Sequence, residues 1–219
     1  MNEWQLTSAR AAIHLPTATA VVSDLHLGYA ETRRRGGDAV PVAGVGEVLA
    51  PLRGALAAHA ARRLVIAGDL FEAGRCRETE ERLLAWLREV GIELVGVVLG
   101  NHDRGLSSGK SLLPLCESPP VLGRWRVVHG DGPLPDGPLV YGHEHPWVRW
   151  RDRRRVGLPP LSAPCYLVGR RRLVLPAFSP DAAGVNVLGV RRWRPYRCCV
   201  IAGDRVLDFG ELAGLRSTV

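Results

Sequence analysis

At 219 residues, with 46% hydrophobic and 23% charged positions, the chain has the composition of a globular protein long enough to bury a core without covalent staples. Its formal charge of +7 comes almost entirely from arginine, Lys110 being the sole lysine; the excess fits an anionic partner such as nucleic acid, and equally a genome biased towards arginine. The five cysteines are odd in number and show no C-x-x-C spacing, which argues against a disulfide framework and against a thiolate zinc site.

No apolar run approaches the roughly 20 residues of a membrane span. The start Met1-Asn2-Glu3-Trp4 lacks the basic and apolar regions of a signal peptide. The expectation is a cytoplasmic protein without membrane contact, folded as a single domain over residues 1–219.

Residues 1 to 23 read as two short strands around a turn. The second, Thr19 to Val22, runs into Ser23-Asp24-Leu25-His26-Leu27-Gly28. Val45, Val48, Leu49, Leu52 and Leu56 recur at helical spacing, with Pro51 either kinking that helix or starting it. Leu64 to Ala67 forms a strand that delivers Gly68-Asp69. Residues 79 to 90 place Leu83, Leu84, Leu87 and Val90 on one helical face. Thr79 suits the cap, Glu80 and Glu81 the first turn, and Gly91 the stop. Leu94 to Leu99 has the length of a buried strand and ends in Gly100-Asn101-His102-Asp103. Strand and helix therefore alternate, as in an α/β sheet. Beyond Asp103 short strands dominate, at 124–128, 139–141, 165–168, 172–175, 198–201 and 205–209. These predict a second sheet packed on the first, without a long helix.

Five strand ends carry candidate ligands: Asp24-x-His26, Gly68-Asp69, Asn101-His102-Asp103, His129-Gly130 and Gly142-His143-Glu144-His145. Five of the seven histidines lie there; His14 and His59 are the exceptions. The C-terminal edges of strands are where open α/β sheets carry their sites. Oxygen and imidazole donors without thiolate suit Mn, Fe, Zn, Co or Ni. The donors exceed what one ion can use. Two divalent ions against the carboxylates of Asp24 and Asp69 leave a net positive site that attracts an anionic phosphate. No G-x-S-x-G or P-loop pattern offers a protein nucleophile or a nucleotide cradle.

In this order the five stretches resemble the pattern D-x-H, G-D, G-N-H-D/E, H and G-H-x-H of the calcineurin-like metallophosphoesterase superfamily. The resemblance implies an α/β fold of two packed mixed sheets flanked by helices. It implies a first metal on Asp24, His26 and His145, a second on Asn101, His129 and His143, and Asp69 bridging the two. It gives His102 the leaving group, with Asp103 orienting it. Flanking segments are similar to a narrower group, the bacterial ligase-associated DNA metallophosphoesterases. They include Arg35-Gly36, Ala39-Val40-Pro41, Pro146, Pro164-Cys165-Tyr166 and Leu175-Pro176-Ala177-Phe178. That likeness implies manganese-dependent phosphodiesterase and single-strand DNA endonuclease activity in DNA repair, and a functional link to a DNA ligase and a helicase.

The expected chemistry is direct hydrolysis, in which a metal-bridging hydroxide attacks phosphorus and His102 protonates the departing alkoxide. Arg104 would neutralise charge on the phosphoryl oxygens. After His145 come two tryptophans and five arginines over residues 147–155. In a strand, Trp147, Arg149 and Arg151 share one face, suited to stacking on bases and binding backbone phosphates of a single strand. Val148 and Trp150 take the other face, and an ordinary amphipathic strand would look the same. The same ligands would serve a phosphomonoesterase or a nucleotide phosphodiesterase acting on small molecules. A non-catalytic scaffold is disfavoured, because every motif position from Asp24 to His145 keeps its ligand.

Overall fold

A computed structural model describes residues 2–103, 105–107, 109–150 and 160–215. These form two mixed sheets of five and nine strands, packed face to face and flanked by helices. The first sheet has the order β1 (Trp4–Leu6), β2 (Ala12–His14), β3 (Thr19–Val22), β4 (Arg63–Ala67), β5 (Glu93–Val98). Its β1, β2 and β3 run antiparallel, and β3, β4 and β5 run parallel.

The second sheet follows the path β12 (Val185–Asn186), β9 (Pro146–Trp150), β10 (Leu161–Val168), β11 (Arg172–Val174), β8 (Leu139–Tyr141), β7 (Trp125–Val128), β6 (Val121–Leu122). The hairpin β13 (Arg197–Ala202) and β14 (Arg205–Glu211) pairs onto β10. Strands β7, β8 and β11 are parallel neighbours.

Side-chain alternation explains the layering, since successive residues of a strand face opposite sides. Ala20, Val22, Leu64 and Ile66 join the helices in one buried cluster. Their neighbours Val21, Val65 and Ala67 meet Val127, Val140, Tyr166 and Leu173 in the cluster between the sheets. Leu139, Tyr141, Cys165 and Leu167 face outward from that layer, and Leu188, Trp193 and Leu212 cover them. Both faces of the central strands are thus buried, which is why they read as continuous apolar runs.

Several boundaries differ from the sequence expectation. Residues 1 to 23 supply three strands, because a turn closed by the Thr7 N–H on the Ala11 carbonyl (3.1 Å) makes Ala12–His14 a strand of its own. The stripe from Val45 splits into α2 (Val45–Val48) and α3 (Ala50–Ala58), with Pro51 in the first turn of α3. The next helix, α4 (Arg77–Val90), starts two residues before Thr79, with Cys76 at its cap and Gly91 ending it at φ 70°. Glu80 lies inward in the first turn of α4, fully buried on Arg75.

Strand β5 is only half-buried, since it is the sheet edge, and Leu99 is 41% exposed. Helix α1 (Tyr29–Arg35) buries none of its residues and so has no apolar stripe to announce it. The paired strand β10 begins at Leu161, four residues before Cys165. Beyond Asp103 the helical structure among the described residues is one short 3-10 turn, Arg191–Trp193. No helix among the described residues is long and apolar enough to cross a membrane.

Candidate metal centre

The parallel strands β3, β4 and β5 end beside the parallel pair β7 and β8, and all five ends carry the ligand motifs. The loops after β3 and β4 are laced together by backbone hydrogen bonds. Asp24 N–H reaches the Gly68 carbonyl at 3.0 Å, His26 N–H the Asp69 carbonyl at 3.0 Å, and Leu27 N–H the Leu70 carbonyl at 2.8 Å.

Turning the ligands inward costs backbone strain. Asp24 (φ 55°), His26 (φ 47°), Asp69 (φ 48°), His143 (φ 63°) and His145 (φ 41°) all sit in the left-handed region, at about 1–2 kcal/mol each. Strain gathered at one place marks a functional site. Close approach is secured by Gly100 and Gly142. A Cβ at Gly100 would overlap the Asp69 carboxylate, and one at Gly142 would overlap Asp24 and Ser23.

Three groups of donor atoms result, each within 4.8 Å: Asp24 with His26 and His145; His26 with Asp69 and His102; Asp69 with His129 and His143. Asp69 and His26 each belong to two groups, so the three are one continuous constellation. Asn101 joins it through Oδ1, 3.2 Å from His129 Nε2. His145 Nε2 lies 3.3 Å from Asp24 Oδ1, and His129 Nε2 lies 3.4 Å from Asp69 Oδ2. Every residue expected to hold metal is therefore brought to one place.

The surroundings fix which imidazole nitrogen is available. A carbonyl can only accept, so His129 Nδ1 carries the proton it donates to the Ala67 carbonyl at 3.0 Å. His145 Nδ1 donates likewise to the Ala183 carbonyl at 3.1 Å, and His102 Nδ1 to the Glu72 carbonyl at 2.8 Å. Each ring then offers Nε2 inward, the arrangement that outer partners impose on metal-binding histidines. His26 Nδ1 lies 2.8 Å from the Glu72 carboxylate without hydrogen-bonding to it, and neither of its buried ring nitrogens has a hydrogen-bond partner.

Electrostatics favour a cation at this place. Asp24 and Asp69 are buried together. Burial works against the charged His129 ring, but Asp69 and Asp24 outweigh it and carry the ring up to about 9. Burial also acts to raise Asp69, and the His129 ring and the His102 N–H overcome it, taking the carboxyl down to about 2. Burial holds His26 below the ordinary imidazole value despite Asp24 and Glu72. A buried carboxylate pair that recruits a proton onto imidazole is one that a metal ion can satisfy instead. The donor set, the unpartnered His26 Nε2 and the charge balance all fit divalent metal.

Asp103 departs from its expected role. Its buried carboxylate accepts the backbone N–H groups of Phe71 (3.1 Å) and Gly100 (3.0 Å), so it braces the loops and is not the group on the His102 ring. The ring is held by Glu72, a residue sequence reasoning missed. A carboxylate three residues after Asp69 was its only signal. Strand β9 alternates as expected: Val148 is buried, Trp150 packs on the core, and Arg149 is exposed. Trp147 shares Arg149's face but is half-buried, with its indole N–H on Ser162 Oγ at 3.0 Å and its ring against Gly184. Arg104 and Arg151 lie outside the described residues.

A two-sheet α/β fold with interleaved His, Asp and Asn ligands at its strand ends defines a metallophosphoesterase. Residues 18–181 match the calcineurin-like phosphoesterase family model, and the chain belongs to that family of metal-dependent phosphoesterases. Among solved structures, the crystal structure of Pseudomonas putida nuclease MPE is similar. It has a TM-score of 0.68 at 24% identity, over 94% of this chain and 94% of that one. No curated protein sequence matches the chain.

Proposed function

We propose that the chain is a dinuclear phosphodiesterase that cuts nucleic acid, and that its preferred substrate is single-stranded DNA. The observation that carries the reading is the sharing of Asp69 between the His26 side and the His129–His143 side of the constellation. One carboxylate shared between two ligand groups suits a pair of closely spaced ions. The first ion would take Asp24, His26 and His145, the second Asn101, His129 and His143, with Asp69 on both. When bound, the ions, manganese in the first instance, supply Lewis acidity and activate water for attack on phosphorus.

The chain's own residues do the rest. The Glu72 carbonyl holds His102 in orientation, the Glu72 carboxylate sets a negative charge beside His26, and His102 Nε2 delivers a proton to the departing oxygen. Asp103 keeps the Gly100–His102 loop in register. The name of the Pseudomonas putida protein, a nuclease, supports a nucleic-acid substrate. So do the charge of +7 and the exposed Arg149 beyond His145. The flanking likeness to ligase-associated enzymes supports a cytoplasmic repair role beside a ligase and a helicase, within one domain. A second reading, a phosphodiesterase of small nucleotides, is favoured by an apolar pocket of 390 Å³ between His26, Tyr29 and Phe178. A panel of single-stranded DNA, duplex DNA, RNA, cyclic nucleotides and phosphomonoesters with Mn²⁺ separates the two. Cleavage of single-stranded DNA far above the rest is expected; turnover confined to small esters would overturn the nuclease reading.

A further inference from the structure

Beside His102 lies an open cleft of 670 Å³, lined by the Glu72–Arg75 segment together with Asn101, His102 and Gly105. Two charged side chains of opposite sign belong to this lining. Glu72 turns its carboxylate to His26 Nδ1 at 2.8 Å. Arg75 is held in a planar fork on Glu80: Nε donates to Oε1 at 3.1 Å and Nη2 to Oε2 at 3.0 Å.

Glu80 is itself enclosed and hydrogen-bonded. Its side chain is 0% exposed, and it accepts Ser111 Oγ at 2.8 Å and the Leu112 N–H at 3.3 Å. The fork occupies one edge of the guanidinium. Among the described residues its remaining N–H groups make no hydrogen bond, and the side chain keeps 24% exposure beside the cleft. A guanidinium fixed in this way loses little freedom when it takes an anion, and its planar edge matches phosphate oxygens.

We propose that Arg75 is a phosphate-binding residue. It holds the backbone phosphate next to the scissile one, on the side where His102 meets the leaving group. The proposal rests on the nuclease reading above. A small diester has no second phosphate, so the contact would select a polynucleotide over a small ester.

The test removes the charge without stranding Glu80. Arg75→Met combined with Glu80→Gln deletes both members of the pair, so no buried carboxylate is left unpaired. Binding of a fluorescein-labelled oligothymidylate is followed by anisotropy with Ca²⁺ in place of Mn²⁺ across a salt series. Affinity about tenfold below wild type is expected, as for loss of a charged hydrogen bond. The slope of log affinity against log salt should fall by about 0.7, as for one lost single-strand phosphate contact. With Mn²⁺, the ratio of oligonucleotide to bis(p-nitrophenyl) phosphate turnover should fall as well. Wild-type affinity and slope in the double variant would make Arg75 a counter-ion of Glu80 alone and overturn the proposal. A wild-type protein that hydrolyses the small diester but does not bind the oligonucleotide would overturn the nuclease reading and this proposal with it, a distinct result. If the double variant does not fold, Arg75→Gln combined with Glu80→Gln decides. It replaces the ion pair by two neutral amides, so no charge is left at this corner; the same drop supports the proposal and a wild-type slope overturns it.

Discussion

The Glu72 carboxylate stands 2.8 Å from His26 Nδ1, while the carbonyl of the same residue stands 2.8 Å from His102 Nδ1. One residue thus meets two imidazoles, hydrogen-bonding His102 and setting a negative charge beside His26, and the two rings approach edge to face with centroids 5.0 Å apart. The two contacts use different parts of Glu72, so substitution can separate them. Glu72→Ala deletes the contact to His26 and keeps the carbonyl for His102. Outer partners of this kind are worth about 10–100-fold in metal affinity. Calorimetric titration with Mn²⁺ should show a loss of that size at one site, with an unchanged circular dichroism spectrum. Wild-type affinity at both sites would assign the carboxylate no role.

Asp69 makes the opposite kind of prediction, a joint one. Its oxygens face His129 Nε2 at 3.4 Å and the His102 N–H at 2.8 Å, and it belongs to two of the three donor groups. Asp69→Asn keeps the shape and removes the charge. Both Mn²⁺ binding events should weaken together in elemental analysis and calorimetry. A variant that still holds two ions at wild-type affinity would rule out the bridge.

The clustering of the candidate ligands was legible because each is a polar residue at the end of an apolar run, and the runs of β3 and β4 are apolar because both strands are buried on both faces. Helix α1 was not, since it buries nothing and leaves no period to read. Glu72 was hidden for a different reason. Its contacts cross from the loop after β4 to His26 and His102 on the loops after β3 and β5, and only the register of the parallel strands brings those loops together. Asp103 shows the converse. The family resemblance implied that it orients the His102 ring, but the side chain points to the backbone of Phe71 and Gly100.

The Arg75–Glu80 pair predicts a pH dependence of stability. Burial acts to raise the Glu80 carboxyl, but Arg75, Ser111 and the Leu112 N–H outweigh it and hold the group below its ordinary 4.5. A carboxylate depressed on folding stabilises the protein fully above its unfolded value, and that contribution disappears as pH falls through the folded value. Glu80→Gln should therefore cost about 1–3 kcal/mol at pH 7, the range for a charged hydrogen-bond network. The gap between variant and wild type in urea denaturation should close as pH falls below about 4.5. A gap that stays constant down to pH 3 would show that the charge of Glu80 is not what stabilises this corner.

His102 has two possible roles at the site, and leaving groups distinguish them. Its ring belongs to a donor group with His26 and Asp69, so it has the position of a metal ligand. It also lines the cleft beside Asn101 and Gly105, with Nδ1 committed to the Glu72 carbonyl and Nε2 available to carry a proton. As a general acid it matters only where the departing oxygen needs a proton. A deoxyribose alkoxide does, and the expected loss for His102→Ala on single-stranded DNA is about 10²–10⁴-fold. A nitrophenolate leaves without help, so bis(p-nitrophenyl) phosphate should suffer far less. Metal content should stay at the wild-type value in the general-acid case, because Asp24, His26, Asp69, Asn101, His129, His143 and His145 remain. Equal losses on both substrates, accompanied by a lost metal equivalent, would instead make His102 a ligand and leave the proton to another group.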